Sequence, residues 1–318
     1  MVTDTASAVD ELTTLRVAQL YYEHDLTQAD IARHLGVTRW KVGRLLARAR
    51  ETGLVRIEIH HPSARMHPLE KALVDRFGLR EAVVVPTQSD EDALLDAVGR
   101  AAADFLCDLR PIPQLLGVSW GHTMAAVAHH VRQGWGHGVH VVQVKGGVSR
   151  SSHPTSGTDI AARIAHAGGG SLSLLPVPSI VEHASTRAAL EQDRAISGTL
   201  QLARAAQVLV FGLGALSEDS VLVESGYLCQ ADIARLRVRG AVGDINSRFI
   251  TADGDLVDPE LDARTLGLEL TELGSARWSI AVASGNAKHD VIAGGLRSKA
   301  FNVLVTDESS AIAALETR

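Results

Sequence analysis

The chain has 318 residues, of which 46% are hydrophobic and only 4% aromatic, and its formal net charge is −6. This length allows one small and one large domain, or two of medium size, and two cysteines without a C-x-x-C pair exclude a disulfide framework and a zinc finger. The N-terminus lacks the pattern of a signal peptide and no apolar stretch reaches the ~20 residues of a membrane span, so we expect a cytoplasmic protein without membrane contact.

Charge is unevenly distributed along the chain. Residues 1–60 carry eight Lys or Arg and eight Asp or Glu, so the whole acidic excess lies in the remainder. Within that neutral segment, the thirteen positions from Thr38 to Arg50 hold five basic residues and no acid. A basic stripe on an otherwise acidic chain indicates local contact with a polyanion.

The N-terminal segment predicts three helices. Apolar spacing over residues 9–22 predicts a first helix whose buried residues include Leu12, Leu15, Ala18 and Leu20. Thr27 reads as the N-cap of a second helix, with Asp30 in the capping-box position, although that position prefers Glu or Gln. This helix ends at Gly36, and Thr38 caps the third helix.

The spacing of Ala32, Gly36 and Val42 fits a helix-turn-helix, which needs a small residue at the helix contact and a glycine in the turn. In the third helix, apolar residues at helical spacing form a face to be buried: Val42, Leu45, Leu46 and Ala49. The DNA-contacting residues are then expected to be Thr38, Arg39, Trp40, Lys41, Arg44 and Arg48. The competing interpretation is a solvated basic helix in a helical cap.

Two further features belong to this domain. Gly43 is costly inside a helix, by about 1 kcal/mol relative to alanine. Either its bare backbone approaches DNA or the position is simply not optimised.

The alternation of Val55, Ile57 and Ile59 predicts a short wing strand. Residues 1–60 are therefore predicted to form a winged helix-turn-helix DNA-binding domain, and 61–318 a second domain.

Residues 61–318 read as an α/β domain. Short runs rich in Val, Leu and Ile alternate with amphipathic helices, which is typical of parallel strands covered on both faces. The runs are "AVVVP", "QLLGVSW", "VHVVQVK", "SLSLLPVP", "QVLVFGLG", "SIAVAS" and "FNVLVTD". Strand order cannot be deduced from this pattern.

Five glycine-rich segments follow or end these runs: "GVSWGHT" (117–123), "KGGVS" (145–149), "FGLGALS" (211–217), "GAVGD" (240–244) and "SGNAK" (284–288). The carboxyl ends of parallel strands share one edge of the sheet, where small ligands bind. Glycine turns there leave room for a compact polar molecule and expose backbone N–H groups. We interpret these segments as loops around one ligand site.

Four side chains in these segments carry candidate chemistry. Thr123 either helps a helix N-terminus hold a phosphate or is a plain N-cap. Lys145 is a cation for that phosphate, an amine able to form an imine with an open-chain sugar, or a lysine that merely surfaces at a strand end. Asp244 accepts hydrogen bonds from sugar hydroxyls or closes an Asx turn. Lys288 is a second cation or a surface lysine at a helix start.

Other chemistry is not indicated. His129, His130, His137 and His140 have no carboxylate or thiolate partners at ligand spacing, so we expect no metal. The chain has neither a P-loop nor a G-x-S-x-G motif, and "GLGALS" lacks the third glycine of a dinucleotide fingerprint. We therefore expect no cofactor.

The order of these elements resembles the SorC family of bacterial transcription regulators, sometimes grouped with DeoR-type regulators. The resemblance extends from about residue 12 to 315 and rests on blocks such as "LLGVSWGHTM", "VVQVKGGVS", "RGAVGDINSRFI" and "VASGNAKHDVIAGGLRSKAFNVLVTDESSA". It implies a winged helix-turn-helix joined to a parallel-sheet effector domain similar to ribose-5-phosphate isomerase and glucosamine-6-phosphate deaminase. The family binds phosphorylated sugars and assembles as homodimers or homotetramers.

By this resemblance the phosphate lies on the Gly121–Thr123 turn. The implied effector-binding residues are Gly121, His122, Thr123, Lys145, Gly146, Gly147, Gly212, Gly214, Asp244 and Lys288. The chain departs from the family at Ser284, where a glycine is usual, and at His122, where a small hydroxyl residue is common. Lys145 is not universal in the family and resembles members that respond to deoxyribose phosphates.

We accordingly predict a DNA-binding transcription regulator, a repressor of a carbohydrate or deoxyribonucleoside operon, controlled by a sugar phosphate such as deoxyribose 5-phosphate. Its partners are double-stranded operator DNA and a second or further copies of itself. The main alternative is a sugar-phosphate isomerase or aldolase-like enzyme with a DNA-binding appendage, because fold alone does not fix function. A nucleotide-binding domain is a weaker third possibility.

Overall fold

The computed structural model describes residues 3–55, 65–148 and 157–317. The chain divides into two compact units, Met1–His61 and Pro62–Arg318, which we call the head and the body. Each has a hydrophobic core of its own.

The head contains three helices, α1 (Thr3–Tyr22), α2 (Gln28–Leu35) and α3 (Arg39–Glu51). The predicted end of α1 and the caps of α2 and α3 are confirmed, whereas α1 begins six residues before the predicted start at residue 9. Thr27 Oγ1 accepts the Asp30 N–H at 3.2 Å, and Thr38 Oγ1 accepts the Lys41 N–H at 3.2 Å. Gly36 ends α2 in the left-handed region, with φ 63°, which glycine adopts without a steric cost. This turn separates the two helices of the helix-turn-helix.

One face of α3 is buried, as predicted, and packs in a core with α1 and α2. That face consists of Val42, Leu45, Leu46 and Ala49. The prediction for α1 is half wrong, since Ala18 is buried but Leu12 and Leu15 are 66% and 39% exposed. Packing against α3 buries a different stripe of α1, which contains Val17. Of the predicted wing, Ile57 and Ile59 lie outside the described residues, and the Val55 N–H donates to the Ala49 carbonyl.

The body is built on a sheet that has nine strands over the described residues. Seven of these strands are β1 Glu81–Val85, β2 Leu115–Val118, β3 His140–Gln143, β4 Leu172–Ser173, β5 Val208–Ala215, β8 Trp278–Val282 and β9 Val303–Asp307. They are parallel neighbours in the order β1-β9-β8-β5-β2-β3-β4. The seven strands predicted from the sequence correspond to these seven.

Helices cover both faces of this sheet, as the continuous apolar runs predicted. In β1, Val83 and Val85 belong to one core while Ala82 and Val84 belong to the other. The helices are α4 His67–Phe77, α5 Glu91–Asp108, α6 His122–His130, α7 Gly157–Ala167, α8 Ala184–Gln192, α9 Arg194–Ala205, α10 Val221–Glu224, α11 Gln230–Val238, α12 Pro259–Asp262, α13 Leu270–Ser275, α14 His289–Ser298 and α15 Glu308–Glu316, with a 3-10 helix at Asn286–Lys288.

The strand order contains a switch point between β2 and β5. From β2 the chain proceeds outward to β3 and β4, whereas from β5 it proceeds in the opposite direction to β8 and β9. Loops leaving the carboxyl ends of β2 and β5 therefore diverge and open a crevice between them, which is where open α/β sheets bind ligands.

The remaining two strands form a hairpin, β6 (Ala241–Ile245) and β7 (Arg248–Thr251). The interpretation of two of the segments as loops is therefore wrong. Residues 241–244 of "GAVGD" lie in β6, which pairs antiparallel with the end of β5, and residues 211–215 of "FGLGALS" lie in β5 itself. Asn246 and Ser247 connect the two strands with φ 55° and 69°. Positive φ at both turn residues matches the right-handed strand twist of a two-residue hairpin. The hairpin folds back over the crevice.

Candidate functional site

A small cavity of about 80 Å³ lies at the switch point. It is formed by the segment after β2, the end of β5, the β6 strand and the 3-10 helix after β8. Eight of the ten predicted effector residues line it: Gly121, His122, Thr123, Lys145, Gly212, Gly214, Asp244 and Lys288. Trp120, Met124, Leu213 and Val221 complete the described lining.

The amino end of α6 points into this cavity. Gly121 is its N-cap, with φ 128°, and among the described residues no side chain caps it. Thr123 is therefore inside the helix, and its interpretation as the N-cap is wrong. Because no described side chain caps the helix, the first N–H groups of α6 can bind an anion. The dipole of the helix also favours a negative charge at this end.

Lys288 reaches the same point from another part of the fold. The 3-10 helix ends at this residue, and its Nζ donates to Thr123 Oγ1 at 2.9 Å. The side chain is thus directed inward, which contradicts the surface-lysine alternative. Burial lowers the pKa of Lys288 to about 8, with the nearby Asp244 carboxylate acting in the opposite direction. A cation therefore lies beside the uncapped helix end at neutral pH.

Asp244 is held on the hairpin above β5. It is 6% exposed, and its Oδ2 accepts the Ser247 N–H at 2.8 Å, so the Asx-turn alternative is also realised. Asp244 is paired with Gly214, where an added Cβ would lie 1.9 Å from Oδ1. Glycine at that position is what allows the carboxylate to enter the cavity. Burial raises the pKa of Asp244, while Lys145 and Lys288 oppose that rise.

Lys145 is 5% exposed and lies two residues beyond the end of β3. Its Nζ is 4.3 Å from the centre of the Trp120 ring and 3.4 Å from Ser247 Oγ. Burial lowers the pKa of Lys145, and Asp244 counteracts this. The contact with an aromatic face partly replaces lost hydration of the ammonium group. The alternative of a lysine that surfaces at the strand end is excluded by this burial.

Gly146 and Gly147 are placed differently from the prediction, because neither is among the cavity-lining residues. A Cβ on Gly146 would lie 2.3 Å from the Pro178 carbonyl oxygen, so this glycine permits a close backbone crossing. Its own carbonyl accepts the Trp120 Nε1–H at 2.8 Å. Both glycines therefore support the cavity wall and do not form it.

Two residues of the site were missed at the sequence level. Trp120 forms a wall and contacts Lys145, and Ser247 Oγ lies between Lys145 Nζ and Ser179 Oγ, at 3.4 and 2.8 Å. An aromatic residue directly before the Gly-His-Thr turn was a visible signal for the first. For the second, the signal was the pair Asn246-Ser247 between apolar runs, which is a hairpin-turn pattern.

His122 lies at the mouth of the cavity. Its Nε2 is 3.7 Å from Glu224 Oε2, and both side chains are substantially exposed. This pair places one titratable base and one acid next to the uncapped end of α6. It is the point at which the chain departs from the small hydroxyl residue that the family resemblance implies.

A larger hollow of about 430 Å³ lies elsewhere on the body, between α5 and β1. Its three arginines are already bonded to protein groups. Arg65 and Arg100 form ion pairs with Glu70 and Asp96 at 2.7 and 2.9 Å, and Arg110 donates to backbone carbonyls. We therefore assign the ligand site to the smaller cavity, whose lining lysines, Lys145 and Lys288, contact hydroxyl groups and form no ion pair within 4 Å among the described residues.

In the head, the second face of α3 is exposed. Thr38, Arg39, Trp40, Arg44 and Arg48 are exposed and Lys41 is half-buried. Trp40 is 74% exposed, and the Arg44 guanidinium lies 4.9 Å from its ring centre. An exposed tryptophan stacked with arginine presents a flat, cationic surface. The predicted DNA-contacting residues thus share one outward face of the second helix of a helix-turn-helix.

Within residues 3–55, 65–148 and 157–317, no group of three or more His, Cys, Asp or Glu could hold a metal ion. Two of the four clustered histidines are hydrogen-bonded to other side chains. His130 Nε2 is hydrogen-bonded to Asp96 at 2.5 Å, and His140 is bonded to Ser171 and Ser173. None of the helices in the described part of the chain is long and apolar enough to cross a membrane.

A helix-turn-helix head followed by a parallel-sheet body with a cationic cavity at its switch point defines the class of ligand-responsive transcriptional regulators. Residues 61–316 match the Sugar-bind family model, which describes a sugar-binding domain. The chain belongs to this family of SorC-type transcriptional regulators.

Individual relatives cover almost the whole chain. The deoxyribonucleoside regulator of Bacillus subtilis (strain 168) is 34% identical over 300 residues, 94% of this chain and 95% of that protein. The transcriptional regulator LsrR of Klebsiella pneumoniae is 33% identical over 314 residues, 98% and 94% of the two chains. The crystal structure of the full-length sorbitol operon regulator SorC from Klebsiella pneumoniae has a TM-score of 0.72 at 30% identity, covering 97% of this chain and 100% of that one.

Proposed function

We propose that this transcriptional regulator is a cytoplasmic repressor whose DNA binding is controlled by a phosphorylated sugar, with an open-chain pentose 5-phosphate such as deoxyribose 5-phosphate as the favoured effector. The observation that carries this proposal is the hydrogen bond between Lys288 and Thr123 at the uncapped end of α6. This point combines a helix N-terminus, a hydroxyl and an ammonium group, all of which can donate hydrogen bonds to a phosphate.

The charge of the cavity supports an anionic ligand. Among its described lining residues are two lysines and one aspartate, besides His122 at the mouth. Burial acts against all three charges. A bound phosphate would relieve the excess of positive charge, while Asp244 would accept hydrogen bonds from sugar hydroxyls. A relative named a deoxyribonucleoside regulator adds support for a deoxyribose phosphate.

Lys145 has two possible roles toward such a ligand. With its pKa lowered by burial, part of the population is the neutral amine, which can attack the aldehyde carbon and form an imine with loss of water. Otherwise the ammonium form makes only an ion pair. Borohydride reduction in the presence of deoxyribose 5-phosphate distinguishes the two, since only an imine yields a covalent adduct on Lys145. A tight complex without an adduct leaves the ion pair.

The volume of the cavity bears on the mechanism. At about 80 Å³ it is smaller than the ~300–1,000 Å³ of ordinary ligand pockets. The walls are therefore expected to move when a pentose phosphate binds. A ligand that binds the opened form better shifts the protein toward that form, and this differential affinity is the source of regulation.

In the head, we propose that Trp40, Lys41 and Arg44 enter the major groove, with Arg39 and Arg48 on phosphates or base edges. Thr38 contributes through its position at the start of α3, because its hydroxyl already caps the helix. The functional unit is a homodimer or homotetramer, whose symmetry requires a palindromic operator.

The full-length protein tests this proposal directly. Its melting temperature would be measured with deoxyribose 5-phosphate, ribose 5-phosphate, deoxyribose and inorganic phosphate, because a ligand that favours the native state raises it. The same ligands would be added to a gel-shift assay with a duplex selected from a random pool. A phosphorylated pentose should raise the melting temperature and change operator affinity. Binding of none of the sugar phosphates would overturn the effector assignment.

The enzyme alternative is retained because the fold brings Asp244, Lys145 and Lys288 into one cavity. The spacing of these residues in the sequence did not reveal that they meet. A carboxyl with a raised pKa beside an amine with a lowered pKa is suited to acid and base work. Several relatives are named as transcriptional regulators, which favours a non-catalytic role. Incubation with pentose and hexose phosphates, followed by NMR, would detect isomerisation or cleavage if it occurs.

A further inference from the structure

Asp307 is wholly buried at the carboxyl end of β9 and bonds to α15, to the segment after β8 and to Thr87 in the segment after β1. Its Oδ2 accepts the N–H groups of Ser309 and Ser310 at 3.1 and 3.3 Å, so the residue caps α15. Its Oδ1 accepts the Gly285 N–H at 3.0 Å. A single carboxylate therefore ties α15 to the segment that follows β8.

Gly285 begins the turn that carries Lys288 into the cavity. It has φ 88°, and its carbonyl accepts the Lys288 N–H at 2.9 Å. The 3-10 helix that starts here ends at Lys288, whose Nζ donates to Thr123 Oγ1. A shift at Gly285 would consequently move the Lys288 amine, because Lys288 lies only three positions further along the chain and in the same turn.

The carboxylate of Asp307 is suited to this task. Burial alone would raise its pKa, but hydrogen bonds from Ser309, Ser310 and Gly285 together hold the pKa of Asp307 below its ordinary value. An ionised acceptor makes a stronger hydrogen bond to a backbone N–H than a neutral one does. The Gly285 bond is therefore stronger than an ordinary turn contact.

We propose that Asp307, which does not line the cavity, is a positioning residue for it: by holding Gly285 it places the Lys288 amine against Thr123. Its consequence for effector affinity rests on the proposed function. The placement of Lys288, in contrast, is a property of the unliganded protein and is measurable without any effector.

The test uses Asp307→Ser in the full-length chain. Serine is a good N-cap and can keep α15 capped, but its side chain is one atom too short to reach both partners. The matched control is Asp258→Ser. Asp258 is also buried and caps α12 by accepting the N–H groups of Glu260 and Leu261, both at 3.1 Å. It does not line the cavity.

The first readout is the pH profile of Lys288 acetylation by a brief pulse of acetic anhydride, quantified by mass spectrometry of the Lys288 peptide. The wild type and Asp258→Ser should share a midpoint near the pKa of about 8. Asp307→Ser should shift the midpoint upward, toward the ordinary lysine value of 10.5, because the released amine regains water. An unchanged midpoint in Asp307→Ser overturns the proposal.

The second readout is affinity for deoxyribose 5-phosphate by calorimetry. Loss of a well-placed charged hydrogen-bond donor should weaken binding roughly tenfold in Asp307→Ser, with no change in Asp258→Ser. Equal weakening in both variants would mean that Asp307 acts only through general stability, against the proposal. If the wild type binds no sugar phosphate, the proposed function fails, and the acetylation profile alone decides the role of Asp307.

Discussion

Lys288 Nζ donates a 2.9 Å hydrogen bond to Thr123 Oγ1, across 165 positions of sequence. The contact joins the segment after β2 to the segment after β8, on either side of β5 in the sheet. Its position at the uncapped end of α6 brings a cation, a hydroxyl and free N–H groups to one point.

Affinity for a sugar phosphate should fall as pH rises through the pKa of Lys288, about 8, because the neutral amine no longer attracts the phosphate. Stability of the unliganded protein should change in the opposite direction. The folded-state pKa lies below the ordinary 10.5, so the unfolded chain binds more protons between these values and folding becomes more favourable with rising pH.

Calorimetric titrations and denaturant unfolding at pH 7, 8, 9 and 10 would measure both trends. Lys288→Met should show a weaker pH dependence of affinity above pH 7 than the wild type, with Lys145 as the remaining cation of the cavity. Lys71→Met is the matched control, since Lys71 is an exposed lysine paired with Asp75 on α4. An affinity that stays constant between pH 7 and 10 in the wild type would contradict the role of Lys288.

Gly214→Ala should destabilise the body and close the cavity. An added Cβ would lie 1.9 Å from Asp244 Oδ1, so the Asp244 carboxylate must leave its place over Gly214, at a cost of about 1–3 kcal/mol. Gly198→Ala is the matched control, because no described atom lies within 4 Å of its Cβ position in α9. Scanning calorimetry should show a lower melting temperature for the first variant only, and equal values would refute this packing argument.

Arg44→Ala should weaken binding to a selected operator duplex by roughly 10- to 100-fold, while the melting-temperature shift caused by the effector remains intact. The residue is exposed on α3 and stacks on Trp40, so its removal leaves the head core untouched. Arg16→Ala, an exposed arginine on α1, serves as the control in the same gel-shift series. Wild-type operator affinity in Arg44→Ala would remove α3 as the recognition helix.

Gly43→Ala should stabilise the head by about 0.5–1 kcal/mol, the usual difference between glycine and alanine within a helix. An added Cβ would meet Gln28 Oε1 at 3.6 Å, an ordinary contact with α2. The position therefore faces α2, which favours the account of an unoptimised residue. Operator affinity should stay unchanged in the gel-shift assay; a loss of binding without a loss of stability would support close approach to DNA instead.

Much of the fold was predictable because its signals are local. The caps at Thr27 and Thr38 and the left-handed Gly36 depend on residues within one helical turn, and each is confirmed. The apolar runs gave the seven parallel strands for the same reason. The hairpin of β6 and β7 was missed, since its glycines resembled a loop and its partner strand, β5, is distant in sequence.

The sequence by itself determined the caps and the glycine turn of the helix-turn-helix, the basic face of α3 and the seven parallel strands, because periodicity and capping act between neighbouring residues. Only the tertiary structure decided the strand order, the switch point and hence the meeting of Thr123, Lys145, Asp244 and Lys288. The tertiary structure also showed that Gly146 and Gly147 do not line the cavity and that Leu12 is exposed. It added Trp120, which lines the cavity, and Ser247, which contacts Lys145. The physical reason is that burial, pKa and charge pairing depend on contacts between segments far apart in the chain.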